Sequence, residues 1–259
     1  MLPKALALVS IGRHPQSNRE RRAEQDGRAV EMGLHLQERQ LMTLSVVHAG
    51  NADSPVLRQY AGMGLSRLSV IAQQANEDVL SPLIDHVKTQ GVSLLLMGVR
   101  SEMGQSSGML PYLLAEKLGW PLLPRVADIQ SIDHGVAHVL LALPRGQRRL
   151  VRVALPFVAT MDKSAKAPRQ TAYGPGQRAE IEVINTTSIE DDVAAQWQFT
   201  PAKPRPKRMK VVKAKTAADR FKAATAKPVG GGGKVLKNET VEEKAQAIFD
   251  FLLEEKVIR

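Results

Sequence analysis

The string Gly104-Gln105-Ser106-Ser107-Gly108-Met109 is the segment of this chain best equipped for chemistry. It lies between an apolar run, "VSLLLMGV", and a helical pattern, "MLPYLLAEKLG". Backbone N–H groups at a helix start attract anions, two hydroxyls add donors, and a glycine lets the backbone come close to a ligand. Gln105, Ser106, Ser107, Gly108 and Met109 are therefore candidate phosphate ligands. The same residues also suit a plain capped helix, with Ser106 or Ser107 as N-cap and nothing bound. The string is neither Gly-x-Gly-x-x-Gly nor a P-loop ending in Gly-Lys-Ser/Thr, so both readings stand. Two further groups follow apolar runs: Ser10, Gly12 and Arg13 after the first, His48 after the second. Arg13 offers a charge for phosphate or faces solvent. His48, with no carboxylate near it in sequence, suits packing or an adenine contact better than a general base.

These groups need elements to hold them. Four apolar runs, "KALALVSI", "LMTLSVVHA", "LSRLSVIA" and "VSLLLMGV", are continuous rather than alternating, as in strands covered on both faces. Helical patterns follow each: "DGRAVEMGLHLQERQ", "SPVLRQYAGMG" with Ser54 as N-cap and Pro55 first in the helix, "NEDVLSPLIDHVKTQG", and "QSSGMLPYLLAEKLG". This alternation predicts a parallel α/β sheet with right-handed crossovers, and ligands beyond the carboxyl ends of its strands. "RVADIQSID", "VAHVLLALP", "RRLVRVALP" and "FVATM" then read as an antiparallel β extension, with "DHG" and "RGQ" as turns. Trp120, in "GWP", reads as core.

The chain has 259 residues, which suits one large domain with an attachment. It has no Cys, which excludes disulfides, zinc–thiolate sites, iron–sulfur clusters and a thiol nucleophile. The six His are scattered, so no metal site is expected. The first apolar run is too short to span a bilayer and has no cleavage site after it, so a cytoplasmic protein without membrane insertion is expected. The formal net charge of +10 sits largely in "RHPQSNRERR" and in "PAKPRPKRMKVVKAKTAADRFKAATAKP". The second stretch offers almost no aromatic side chain for base stacking, so it reads as a solvated linker lying on a protein partner, with no nucleic acid. The expected domains are 1–195, an α/β unit; 196–236, a basic linker ending in Gly; and 237–259, an amphipathic helix. That helix places Ala247, Phe249, Leu252 and Leu253 near one face and needs a surface to cover them.

The segment "GMLPYLLAEKLGWPLL" resembles the stretch after the nucleotide loop in beta subunits of electron-transfer flavoproteins, where Thr-Gly-Gln precedes an apolar helix ending in Leu-Leu-Gly-Trp-Pro. "DGRAVEMGLHLQE", "VLRQYAGMGLSRLSVI", "LVRVALPFVATMDKSAKAPRQTAY" and "ETVEEKAQAIFDFLLEEKVI" resemble other family segments in the family's order. The resemblance covers about residues 1–185 and 238–259. It implies a Rossmann-like, adenine-nucleotide-hydrolase-type domain in an obligate heterodimer. The alpha subunit would carry most of the FAD contacts, and the beta subunit would hold a structural AMP. The implied function is electron carriage rather than enzymatic catalysis, from a flavin-linked dehydrogenase towards the quinone pool through an electron-transfer flavoprotein–quinone oxidoreductase.

The sequence departs from the family at several places. Gly12 replaces a Lys, leaving the charge to Arg13; Ala23-Glu24 replaces Asn-Pro, while Asp26 is kept; Gln25 replaces an aromatic residue. Glu102 is what remains of an acidic run, Ser107-Gly108-Met109 stands for Thr-Gly-Gln, and Arg149 stands where a Glu is usual. The family docks dehydrogenases through an apolar side chain after a Pro-Arg pair. Counting from Pro168-Arg169 puts Tyr173 there, in a docking loop near 168–178, with Gly174 and Pro175 implying a tight exposed turn. Two other readings compete. A stand-alone universal-stress-type nucleotide-binding protein would lack flavin, and a basic nucleic-acid binder would lose affinity steeply with salt.

Overall fold

The computed structural model describes residues 2–187, 189–198, 200–202, 216–218, 221, 236 and 239–254. It divides into two compact units, 1–198 and 199–259. Most of the stretch expected as a linker, 196–236, lies outside the described residues, as do residues 255–259.

In the first unit the chain runs β1 (Lys4–Val9), β2 (Ile11–Arg13), β3 (Glu20–Arg22), α1 (Glu24–Glu38), β4 (Thr43–Gly50), α2 (Val56–Ala61), β5 (Arg67–Ala72), α3 (Leu80–Gln90), β6 (Leu94–Gly98) and α4 (Leu110–Leu118). It continues through β7 (Leu122–Asp133), β8 (Val136–Ala142), β9 (Arg148–Ala154), β10 (Phe157–Met161), α5 (Tyr173–Arg178), β11 (Glu180–Ile184) and α6 (Asp192–Ala195). Among the described residues nine strands form one sheet, in the order β11-β5-β4-β1-β6-β10-β7-β8-β9. It is an α/β, Rossmann-like sheet, parallel from β11 to β7 and antiparallel through β8 and β9.

Alternate residues of the buried strands feed two different cores. Ala5, Ala7 and Val9 of β1 face the layer of α1 and α2, with Ala29, Val30, Leu57 and Tyr60. Leu6 and Leu8 face the layer of α3 and α4, with Leu83, Val87, Leu114 and Ala115. This double burial is why the strands read as unbroken apolar runs. Trp120 packs half-buried against the second core. The segment "GMLPYLLAEKLGWPLL" leaves the helix at Gly119, left-handed at φ 69°, and its last residues, Leu122 and Leu123, already belong to β7.

Two expectations change, and one element is new. "FVATM" is not part of the antiparallel section: β10 is an interior parallel strand between β6 and β7, in register Phe157↔Leu94 to Met161↔Gly98. A five-residue apolar run fits either direction, and it is the long excursion through β8 and β9 that returns the chain parallel. Pro55, not Ser54, is the N-cap of α2; the Ser54 hydroxyl accepts from the Val56 amide at 3.4 Å. The charged stretch after β1 forms an antiparallel ribbon, β2 with β3.

The described helix of the second unit, α7 (Val241–Glu254), opens with a reciprocal cap. The Thr240 amide donates to Glu243 at 2.9 Å, and the Glu243 amide donates to the Thr240 hydroxyl at 3.3 Å. None of its residues is buried, and Ile248, Phe249, Phe251 and Leu253 are exposed.

Candidate functional site

At the carboxyl ends of β1, β4 and β6 lies a cleft of about 510 Å³. Its floor is Ser10, Asp26 and Gly98, and one wall is apolar, with Leu8, Met97, Leu80 and Leu83. The other wall is the loop from Arg100 to Met109, and Glu77, Asp78 and Asp191 lie at its border.

Six of the nine residues singled out from sequence line this cleft: Ser10, Gln105, Ser106, Ser107, Gly108 and Met109. The loop is shaped from within. The Ser106 hydroxyl donates to the Ser101 carbonyl, the Ser101 hydroxyl to the Met103 carbonyl at 2.8 Å, and the Met109 amide to the Ser107 hydroxyl at 3.3 Å. Positive φ recurs at Gly104 (70°), Ser106 (52°) and Gly108 (75°). Where left-handed residues alternate with right-handed ones, successive amides can turn to a common side, the arrangement of an anion-binding nest. Neither Ser106 nor Ser107 is the N-cap of α4. That position is Met109, which has no side-chain cap, and Pro111 fills the first turn. A Cβ on Gly108 would lie 3.2 Å from the Val99 carbonyl oxygen, in a left-handed conformation.

Gly12, Arg13 and His48 are not among the residues lining the cleft. Gly12 sits on the β2–β3 ribbon, where a Cβ would lie 2.6 Å from the Glu102 carboxylate and 2.7 Å from Ala23. The Arg13 side chain reaches Glu20 at 3.8 Å. His48 is buried, with Nδ1 2.8 Å from the Val9 carbonyl oxygen, so Nδ1 carries the proton and donates. Burial lowers its pKa, which keeps the ring neutral.

Asp26, at the start of α1, ties the floor together. Its Oδ2 accepts from the Ser10 amide at 2.8 Å and the Ser10 hydroxyl at 2.5 Å, and its Oδ1 from the Gly98 amide at 3.0 Å. Burial pushes its pKa up to about 6, against the opposing hydrogen bonds from Ser10 and Gly98. The Tyr60 hydroxyl donates to the Ser10 carbonyl at 2.8 Å and accepts from the Ala23 amide at 2.9 Å, bracing the same corner from α2. Glu102 gathers the Glu24 amide (2.9 Å), the Arg13 amide (3.1 Å) and Arg21 Nη2 (3.2 Å), and so holds the ribbon to the loop. The spacing of these residues in sequence does not reveal them. Asp26 carries two signals, its place at the start of a helical pattern and the family position it keeps.

A second constellation lies on the α1–α2 side. Tyr173 is 79% exposed. It begins the short helix α5 rather than the expected tight turn, because the following residues, Gly174 to Arg178, keep coiling, with the Gly176 amide donating to the Ala172 carbonyl at 3.1 Å. The segment before it is held by Glu31, which is 2% exposed. Arg169 meets that carboxylate with Nε at 2.7 Å, Nη2 at 3.1 Å and its amide at 3.1 Å, and Lys166 meets it at 3.2 Å. Burial opposes ionisation of Glu31, but the hydrogen bonds from Arg169 and Lys166 outweigh it and hold the pKa below the usual value.

A family model, the electron transfer flavoprotein domain, matches residues 18–189. An electron transfer flavoprotein subunit beta from Chromohalobacter salexigens is 46% identical over 252 residues, covering 97% of this chain and 94% of that protein. A probable electron transfer flavoprotein subunit beta from Saccharomyces cerevisiae is 24% identical over 176 residues, covering 64% of this chain and 67% of that protein. Among the described residues no helix is long and apolar enough to cross a membrane. With the domain model spanning most of the α/β unit and a relative aligned almost end to end, the chain belongs to the electron transfer flavoprotein family, among its beta subunits.

Proposed function

We propose that this chain is the beta subunit of a heterodimeric electron carrier whose FAD is held mainly by an alpha subunit. The flavin, when bound, accepts electrons from a dehydrogenase and passes them on towards quinone through a quinone oxidoreductase, and the chain itself catalyses no reaction. Its own residues bind and position. The cleft suits AMP, and the observation that carries this reading is the left-handed backbone at Gly104, Ser106 and Gly108 in a loop that lines the cleft together with an apolar wall. The cleft volume falls in the usual small-ligand range, roughly 300–1,000 Å³. The Ser107 hydroxyl and the amides from Gln105 to Gly108 would hold the phosphate, and Leu8, Met97 and Leu83 would face the base. Tyr173 would anchor the dehydrogenase. The 196–236 arm and α7, with its exposed Ile248, Phe249 and Phe251, would lie on the alpha subunit.

The test is to co-express the chain with its alpha subunit, denature the purified complex and identify the released nucleotides. One FAD and one AMP per heterodimer is the expected result; absence of AMP removes the cleft reading. Deleting residues 235–259 should weaken assembly and flavin retention. An unchanged heterodimer on size exclusion removes the terminal helix from that role.

A further inference from the structure

We infer that Glu31 is a positioning residue for partner docking: it locks the segment from Ala165 to Arg169 onto α1 so that Tyr173 is presented in one fixed orientation. This rests on the docking role proposed for Tyr173. The cations that meet Glu31 do not need it for their own solvation, because the side chains of Arg169 and Lys166 are 34% and 62% exposed. The carboxylate is the buried partner. An apolar residue at that place on α1 would avoid the cost of desolvating a charge. A carboxylate supplies direction instead, since it fixes a forked guanidinium and a main-chain amide of the same residue.

Everything next to this contact continues the fastening. Pro168 lies against Gly27, where a Cβ would come within 3.3 Å of its ring, and Arg22 donates to the Arg169 carbonyl at 3.2 Å. Beyond it the Thr171 hydroxyl donates to the Gln59 carbonyl and the Ala172 amide to the Gly62 carbonyl, both at 2.9 Å. Arg58 then takes carbonyls at the end of α5, those of Gly176, Gln177 and Ala179. Tyr173 is thus held from both sides, to α1 before it and to α2 after it, with its ring outside. A side chain fixed in its bound orientation loses less freedom on binding, so the value of Glu31 to the complex is preorganisation.

The test uses the flavin-loaded heterodimer carrying Glu31→Gln, which keeps the size but sets an amide donor against the guanidinium. Chymotrypsin cleaves after tyrosines in segments that can open locally. Cleavage after Tyr173 should rise about tenfold, while cleavage after Tyr112, 52% exposed, should stay at the wild-type rate. With the flavin dehydrogenase that reduces the wild-type heterodimer, KM should rise about fivefold at unchanged kcat. In a Tyr173→Ala background the same substitution should add nothing further. Equal acceleration at Tyr112 and Tyr173, no acceleration at all, or a full additional effect without Tyr173 overturns the inference. If Tyr173→Ala alone leaves KM unchanged, the docking role falls, and the cleavage ratio still reports whether Glu31 holds the segment. Should Glu31→Gln fail to assemble, Arg169→Lys decides: it keeps the charge and loses the fork, so cleavage after Tyr173 should rise about threefold, and an unchanged rate overturns the inference.

Discussion

Asp26 and Glu31 are buried carboxylates on one helix, and their environments push them in opposite directions. Burial penalises the charge of both. Asp26 meets only neutral donors, two amides and a hydroxyl, and ends near 6. Glu31 meets two cations and an amide and ends below its ordinary value. The first floors a cleft whose loop bonds to itself. The second fastens a segment whose contacts run to other helices and leave one ring outside. Adjacent strands, β6 and β10, feed these two regions from the same edge of the molecule. The partner's charge, rather than depth of burial, separates the two carboxylates.

The largest effect should come from deleting the fixed carboxylate. Glu31→Ala leaves Arg169, Lys166 and the Arg169 amide without their common acceptor. Several charge-assisted hydrogen bonds to the Arg169 fork and amide go at once, at about 3 kcal/mol, although both cations are partly exposed and Arg169 keeps Glu38 at 2.9 Å. Urea unfolding of the full chain measures it; a loss under about 1 kcal/mol would mean that water replaces the carboxylate freely and that the two regions are not held differently.

The pH dependence should oppose the two residues next. The raised pKa of Asp26 means that the folded chain binds this proton more tightly than the unfolded one, so its contribution is fully present below about 4 and is lost as pH rises through about 6. For Glu31 the lowered pKa gives the reverse: stability present at neutral pH and lost as the solution is acidified through its folded pKa. Asp26→Asn removes the first term alone. The stability of wild type relative to this variant should therefore increase by roughly 2–3 kcal/mol between pH 7 and pH 4. A constant difference across that range would show that Asp26 is not buried among neutral donors in solution.

A smaller cost is expected at the loop. Gly108→Val forces a branched side chain into left-handed backbone 3.2 Å from a carbonyl oxygen, at about 1–2 kcal/mol. Its informative consequence is nucleotide content, which should fall to near zero in the purified heterodimer. Full AMP retention would take the phosphate away from Gly104 to Met109.

Much of this architecture can be read from the chain, and the limits have physical causes. Runs such as "VSLLLMGV" announce buried parallel strands because both faces are covered, and the strand–Gly–Ser–Ser–Gly–helix order marks the loop that lines the cleft. "FVATM" carries no directional signal, so its parallel pairing emerges only from the sheet. The ribbon hides among charges because its two short strands carry no apolar alternation. Asp26 gathers Ser10 and Gly98, and Glu31 gathers Arg169, 138 positions away, through contacts that no local periodicity encodes. His48 shows the converse: a strand-end histidine stands out in the sequence, while in the fold its ring is spent on the Val9 carbonyl.

The smallest effect on stability should come from the most exposed residue. Tyr173 is 79% exposed, and its flanking backbone is held by Ala172 and Arg58 rather than by its own ring. Removing the ring therefore deletes little buried area, and Tyr173→Ala should change unfolding free energy by no more than about 0.5 kcal/mol. If the ring is a docking anchor, the same substitution should weaken the encounter with a dehydrogenase by roughly 2 kcal/mol, because a rigid aromatic group on a preorganised mount is the usual form of an interface hot spot. The two numbers together are the test. Steady-state flavin reduction against dehydrogenase concentration gives the second, and urea unfolding of the same preparation gives the first. A KM raised about thirtyfold with unchanged stability and flavin content fits an anchor held from both sides. A raised KM accompanied by lost stability would make the ring part of the fastening. Unchanged kinetics would leave the segment fixed by Glu31 and Arg58 for some other surface.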